Sequence, residues 1–219
     1  MDEEIKKSIL KTGTTILGIV CKDGIVMAGD KQSTAGTIVM NKNSEKVKKV
    51  NDYLVIAGTG MVSDIQRVPK ILDAELKLKQ LKSKTRPTVK QAASLLTNIS
   101  YSGIRQHSMI PQQAGFLLAG FNLDNSVELY SVEPAGSSLK VEDYDANFGS
   151  GMPYALGLLE RQYKKGLSLK EGIELAKEAI KSSAQRDVGS GYGMDIYTIT
   201  KEGVEKVLSQ TIESDYKDN

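Results

Sequence analysis

Cysteine and histidine are nearly absent from this chain of 219 residues, which has one of each, Cys21 and His107. One cysteine excludes a disulfide within the chain and a cysteine-built metal cluster, and it suits a reducing, cytoplasmic setting. Cys21 reads as a small core side chain. One histidine leaves a single candidate base for a serine-histidine-aspartate mechanism and offers no histidine metal site, so neither a metal nor another cofactor is expected. His107 reads as a structural or surface residue. An excess of charge of one sign is also lacking: 29 Lys and Arg face 27 Asp and Glu, a formal net charge of +2. The lysines are scattered among glutamates, so neither nucleic acid nor a membrane surface is expected as a partner. No run approaches the roughly 20 apolar residues of a membrane span, and the first ten residues contain no apolar stretch of signal-peptide length.

What the chain does contain is short apolar runs broken by turns, then helical periodicity, twice over. Thr15 to Cys21 and Ile25 to Asp30 read as strands joined at Lys22-Asp23-Gly24, where Asp-Gly between apolar runs signals a hairpin. Further strands are predicted at Thr37 to Met40, Glu45 to Val50 and Tyr53 to Ala57. Ile65, Val68, Leu72 and Leu76 then recur three or four apart after a cap at Ser63, with Pro69 expected to kink or restart the helix. Thr88 and Gln91 have capping-box spacing ahead of Val89, Ala92, Leu96, Ile99 and Ile104, and Pro111 bounds that helix. Strands return at Ala114 to Phe121 and Val127 to Val132 around an Asp124-Asn125 turn.

After Gly149-Ser150-Gly151 a helix is expected through about Tyr163. A second capping box, Ser168 with Glu171, precedes Ile173, Ala176, Ile180 and Ala184, and Met194 to Thr200 with Val204 to Leu208 closes the chain as a hairpin. Two antiparallel sheets that each carry a helix pair on one face must bury their other faces on each other. The expected fold is therefore α+β, a four-layer αββα sandwich in one domain over residues 14 to 219. The different character of residues 1 to 13 suggests a removable propeptide, with a short leader of no function as the plainer reading.

Thr14 opens the first strand and follows Gly13. If the Gly13–Thr14 bond is cut, one residue carries both a hydroxyl nucleophile and a free α-amine to act as its base. An α-amine with an ordinary pKa of roughly 7.7 to 8.0 is near the optimum for a general base, and a neighbouring lysine cation would favour its neutral form. Asp30, at the end of the hairpin that Thr14 begins, and Lys46, on a further strand, are candidates to stand beside it. Alone, Asp30 reads as a strand-end residue and Lys46 as a solvated lysine. Gly189-Ser190-Gly191-Tyr192-Gly193 lacks the Gly-Lys-Ser/Thr ending of a phosphate loop and precedes a strand, so it reads as a tight loop.

Six separated segments occur together in order: Thr12-Gly13-Thr14-Thr15, Gly29-Asp30, Lys46, Gly60 through Asp64, Gly149-Ser150-Gly151, and Gln185-Arg186-Asp187 followed by Ser190-Gly191. In these the sequence resembles the β-type subunits of the archaeal 20S proteasome, threonine proteases of the N-terminal-nucleophile hydrolase family. The resemblance runs from Gly13 to the final hairpin. It implies that Thr14 becomes the nucleophilic N-terminus after autocatalytic cleavage between Gly13 and Thr14, with Lys46 as its charged neighbour and Asp30 as the lysine's partner. It further implies Gly60 as the oxyanion N–H donor, with Gly58 a second candidate, and Ser150, Asp187 and Ser190 as the network around the threonine amine.

Gln32 stands where many members of that family have arginine. Substrate is expected to pair as an added strand near Thr34 and Gly60 to Val62. By the same resemblance Ser33, Ala35, Ser44, Gly58 and Val62 line the specificity pocket, which, being uncharged, predicts cleavage after large hydrophobic residues. The implied partners are α-type subunits, other β subunits in a heptameric ring of a four-ring barrel, an ATPase unfoldase acting indirectly, and unfolded polypeptide as substrate. Rival readings are an unprocessed, catalytically silent β subunit, the bacterial two-component peptidase of the same family, and a binding-only sandwich domain.

Overall fold

A computed structural model describes residues 13–213. Residues 1–12, most of the expected propeptide, lie outside the described residues. The first strands form from β-branched and apolar runs: β1 (Ile16–Cys21) and β2 (Gly24–Asp30) make the hairpin expected from Asp23-Gly24, in a register that sets Ile16 against Gly29. A three-residue β3 (Ser33–Ala35) pairs with β4 (Ile38–Asn41) as a separate ribbon, and β5 (Val47–Asn51) and β6 (Leu54–Gly60) follow.

Helix α1 (Val62–Ser83) begins earlier than the expected Ser63 cap. Its N-cap is Met61, with no side-chain cap; Asp64 in the first turn instead accepts the Gln113 N–H at 2.9 Å. The helix also continues through Pro69 without restarting, because Val68, Leu72 and Leu76 anchor it on both sides of the proline. Helix α2 (Val89–Arg105) and the later α4 (Leu169–Ala184) carry the two expected capping boxes, with Gln91 N–H to Thr88 Oγ1 at 3.2 Å and Ser168 N–H to Glu171 Oε2 at 2.8 Å. Between these helices lie β7 (Ala114–Phe121), β8 (Val127–Val132), β9 (Ser138–Val141), β10 (Tyr144–Asp145) and α3 (Met152–Gln162); β11 (Gly193–Thr200) and β12 (Gly203–Thr211) follow α4.

Two antiparallel five-stranded sheets result, ordered β10-β1-β2-β11-β12 and β5-β6-β7-β8-β9. Ile16, Ile25, Met27, Val55, Leu117 and Ile199 fill the space between them. Helices α1 and α2 cover the second sheet through Val68, Leu72, Leu76 and Leu96, and α3 and α4 cover the first through Ala155, Leu159, Ala176 and Ile180. This is the four-layer αββα sandwich. Its consequence for function is that the starts of β1 and β5 and the end of β2 meet at one edge of the inter-sheet seam.

Candidate active site

Register brings the parts together. Opposite the start of β1, the Asp30 N–H donates to the Thr15 carbonyl at 3.0 Å, so the Asp30 carboxylate is turned back toward residues 13 to 15. That carboxylate, 1% exposed, accepts from Lys46 Nζ at 2.6 Å and the Thr15 N–H at 2.7 Å on Oδ1, and from the Gln32 and Gly191 N–H groups at 3.0 Å on Oδ2. Four donors fix its orientation. Lys46 reaches this position from the turn before β5, and its ammonium also donates to the Gly13 carbonyl at 3.3 Å. Gln32 therefore serves Asp30 through its backbone, while its side chain holds the Val188 carbonyl at 2.6 Å.

The Gly13–Thr14 peptide lies in the middle of this arrangement. Thr14 is 4% exposed, and its Oγ1 donates to the Gly13 carbonyl at 2.5 Å, so that oxygen faces both the hydroxyl and Lys46. The Thr14 N–H donates to Ser150 Oγ at 3.1 Å, Ser150 Oγ donates to Asp187 Oδ2 at 2.6 Å, and Ser190 Oγ donates to the same oxygen at 2.5 Å. Ser150 comes from the turn before α3, and Asp187 and Ser190 from the loop after α4.

Sequence reasoning gave no site role to Thr15 or Gly189, and it named Thr34 only for substrate pairing. Thr15 Oγ1 pairs with Ser190 Oγ at 2.7 Å, the Thr34 hydroxyl accepts the Gly13 N–H at 3.1 Å, and Gly189 packs against Gly13 so closely that a Cβ on Gly13 would sit 2.1 Å from Gly189 Cα. No sequence pattern signals such a contact across 176 positions; it exists only once the two loops meet.

Burial pushes the Asp30 carboxyl above its usual range, against the pull of Lys46 and of the backbone donors. Burial likewise pulls Lys46 below the ordinary lysine range, against the opposing charge of Asp30. The pair is thus poised nearer to proton exchange than a surface lysine and aspartate would be. His107 is exposed in the loop after α2 and takes no part.

Beside Thr14 lies a cavity of about 160 Å³, small enough to take one side chain and well below the roughly 300 Å³ at which drug-sized ligand sites begin. Gly13, Thr14, Ser33, Ser44, Gly60 and Val62 line it. Gly60 has φ +114°, a backbone conformation that favours glycine, and a Cβ there would meet the Gln113 carbonyl oxygen at 2.2 Å. Thr34, Ala35 and Gly58 are not in the lining; a Cβ added at Gly58 would instead meet Ile65 and Phe116. The wall also includes Glu45, Lys46 and Lys48, so the expectation of an uncharged pocket does not hold. A larger cleft of about 610 Å³, lined by Arg67, Asn98, Arg105 and Gln112 between α1 and α2, contains none of the Thr14 constellation. Among the described residues no group of His, Cys, Asp or Glu could hold a metal ion, and no helix is long and apolar enough to cross a membrane.

Comparison with known proteins gives one consistent result. The family model described as proteasome subunit matches residues 10–199. The chain is 43% identical over 195 residues to the proteasome subunit beta of Nanoarchaeum equitans (strain Kin4-M), covering 89% of this chain and 97% of that protein. It is 42% identical to proteasome subunit beta 2 of Pyrococcus abyssi (strain GE5 / Orsay), covering 92% and 94%. With the proteasome subunit beta of Methanobrevibacter smithii (strain ATCC 35061 / DSM 861 / OCM 144 / PS) it shares 38% identity over 97% of each chain.

Proposed function

The chain belongs to the proteasome β-subunit family, whose members assemble into a multisubunit proteasome core, and from that premise we propose that it is a threonine endopeptidase activated by cutting itself between Gly13 and Thr14. The observation that carries this reading is the convergence on one peptide bond: the Thr14 hydroxyl and the Lys46 ammonium both contact the Gly13 carbonyl oxygen. Residues 1 to 13 are then a propeptide and residues 14 to 219 the peptidase.

Self-cleavage begins with attack of Thr14 Oγ on the Gly13 carbonyl carbon. The peptide bond to the Thr14 nitrogen breaks, an ester forms, and water hydrolyses that ester to a Gly13 carboxylate and a free threonine. Lys46 polarises the carbonyl, and its lowered pKa suits it to pass protons while the Thr14 nitrogen is still an amide. Asp30 positions Lys46 through the 2.6 Å bond.

Once free, the Thr14 amine replaces the amide as a base next to its own hydroxyl, in contact with the Ser150, Asp187 and Ser190 network. The same oxygen then attacks the substrate carbonyl, whose developing negative charge is received by the backbone at Gly60; donors of this type contribute about 2.7–4 kcal/mol. The substrate is unfolded polypeptide, running near Ser33, Thr34, Ala35, Ser44, Gly58 and Val62. We assign the chain to the inner, heptameric β rings of a four-ring barrel capped by α-type subunits and fed indirectly by an ATPase unfoldase, in the cytoplasm.

Intact mass and N-terminal sequencing of the assembled particle test this. We expect Thr14 as the first residue, and expect the Thr14→Ala variant to retain residues 1 to 13 and to lose peptidase activity by at least about a thousandfold. An active particle that retains the leader would refute the mechanism, and an assembled particle that keeps the leader and cuts nothing would make this a silent ring subunit.

A further inference from the structure

The cavity next to Thr14 contains three charged side chains, and two of them are already neutralised. Lys46 is paired with Asp30 at 2.6 Å. Glu45 is paired with Lys206 at 3.2 Å and accepts a hydrogen bond from Tyr197 Oη at 3.5 Å. Lys31, close by on the same side, is held by Asp195 at 3.4 Å, Asn43 at 3.1 Å and Ser209 at 2.9 Å, so its charge is spent inside the fold. Lys48 differs: among the described residues its side chain has no hydrogen-bond or ion-pair partner, and it is half-buried in the cavity wall.

Strand alternation explains why it points there. Val47, its neighbour on β5, is fully buried in the layer between the sheets, so Lys48 projects from the opposite face, toward α1. Its register partner Ile56 belongs to the core beneath α1 and α2. Ile65 and Val62 of α1 supply apolar wall, and Ser33 and Ser44 supply hydroxyls.

We propose that this cavity accepts an acidic side chain of the substrate, with Lys48 as its counter-ion, so that the chain cuts after glutamate or aspartate in preference to large apolar or basic residues. The inference rests on the proteolytic reading above and deepens it. A large apolar side chain would cover Lys48 and strip its ammonium of water with nothing in exchange, which is costly for a charge. A basic side chain would add repulsion to that cost. A glutamate instead lays its methylenes on Ile65 and Val62 and brings a carboxylate to Lys48, with the Ser33 and Ser44 hydroxyls able to donate to it. A charge-assisted contact of this kind is worth about tenfold or more in discrimination.

The test uses the assembled, self-processed particle and fluorogenic tetrapeptides that differ only at the cleaved position, as Glu, Leu or Arg. We expect kcat/KM for Glu to exceed that for Leu by about tenfold. Lys48→Met, which keeps the length of the side chain and removes its charge, should bring the ratio to one or below, and Lys48→Glu should turn the preference to Arg. A native particle that favours Leu or Arg, or a Glu-to-Leu ratio unchanged in Lys48→Met, would overturn the assignment of Lys48 while leaving the protease reading intact. Failure of particles with a free Thr14 to cut any of the three peptides would instead remove the reaction, and this inference with it.

Discussion

At the scale of single residues, the contact between Gly13 and Gly189 decides where the Gly13–Thr14 bond, the one the proposed self-cleavage would cut, can sit. A Cβ on Gly13 would lie 2.1 Å from Gly189 Cα and 2.7 Å from its carbonyl oxygen, both backbone atoms that cannot step aside like a side chain. Gly13→Ala should therefore move the Gly13 carbonyl off Thr14 Oγ1 and Lys46. Overpacking strain of about 1–3 kcal/mol slows a reaction by roughly fivefold to a hundredfold. Mass spectrometry over a time course should show the leader persisting in Gly13→Ala. A chain produced to start at Thr14 should be fully active, because the offending methyl belongs to the segment that the proposed self-cleavage would remove; native-rate leader loss in Gly13→Ala would contradict this account. Thr14 stood out in the sequence because it follows Gly13 and opens a strand that its neighbours announce, whereas Asp30 and Lys46 stood out only through the family resemblance, since alone they read as a strand-end residue and a solvated lysine. Gly189 and Lys48 did not, since one matters through a contact with a distant loop and the other through the absence of a counter-ion, and neither is a local property.

At the scale of elements, the sequence was readable where an element is buried on a clear periodicity and unreadable where it is short or at an edge. The β1–β2 hairpin, α2 and α4 follow from Asp-Gly and from two capping boxes. By contrast β3, β9 and β10 escaped notice: Ser-Leu-Lys-Val in β9 is an edge strand with no buried residue, and β10 pairs with β1 at only Gly18↔Asp145 and Ile19↔Tyr144. One packing contact holds α4 close to the first sheet. A Cβ added at Gly172 of α4 would meet Cys21 Sγ of β1 at 2.5 Å and Val26 Cγ2 of β2 at 3.2 Å, and the same burial pushes the Cys21 thiol up to about 12. Gly172→Ala gains about 0.8–1 kcal/mol of helix propensity but incurs about 1–3 kcal/mol of overpacking, so it should destabilise or at best be neutral. In a Cys21→Ala background the sulfur is gone and the same change should stabilise. Chemical denaturation of the four proteins should give a coupling of about 1 kcal/mol or more; strict additivity would show that the helix simply shifts to make room.

At the scale of the whole molecule, the fold leaves the β3–β4 ribbon with two faces of different use. One edge belongs to the candidate site, since Ser33 and Asn41, paired in register, both line the cavity beside Thr14. On β4, Ile38 and Met40 are 64% and 67% exposed at alternate positions, hence on the same side of the strand. Single exposed apolar residues are unremarkable, but two on one face of a thin ribbon that rests on no core point to a surface that is covered in the assembly this family forms. Covering it would also brace the cavity rim, so assembly and substrate selection become linked through one ribbon. The double variant Ile38→Asp/Met40→Asp should leave the isolated chain's thermal unfolding within about 0.5 kcal/mol of native, because neither side chain touches the core. In size-exclusion chromatography it should shift from the large particle toward single subunits, and peptidase activity should fall in step with the particle fraction. Full-size particles formed at native yield would show that this face stays in solvent and that the rim is held by the chain's own contacts alone.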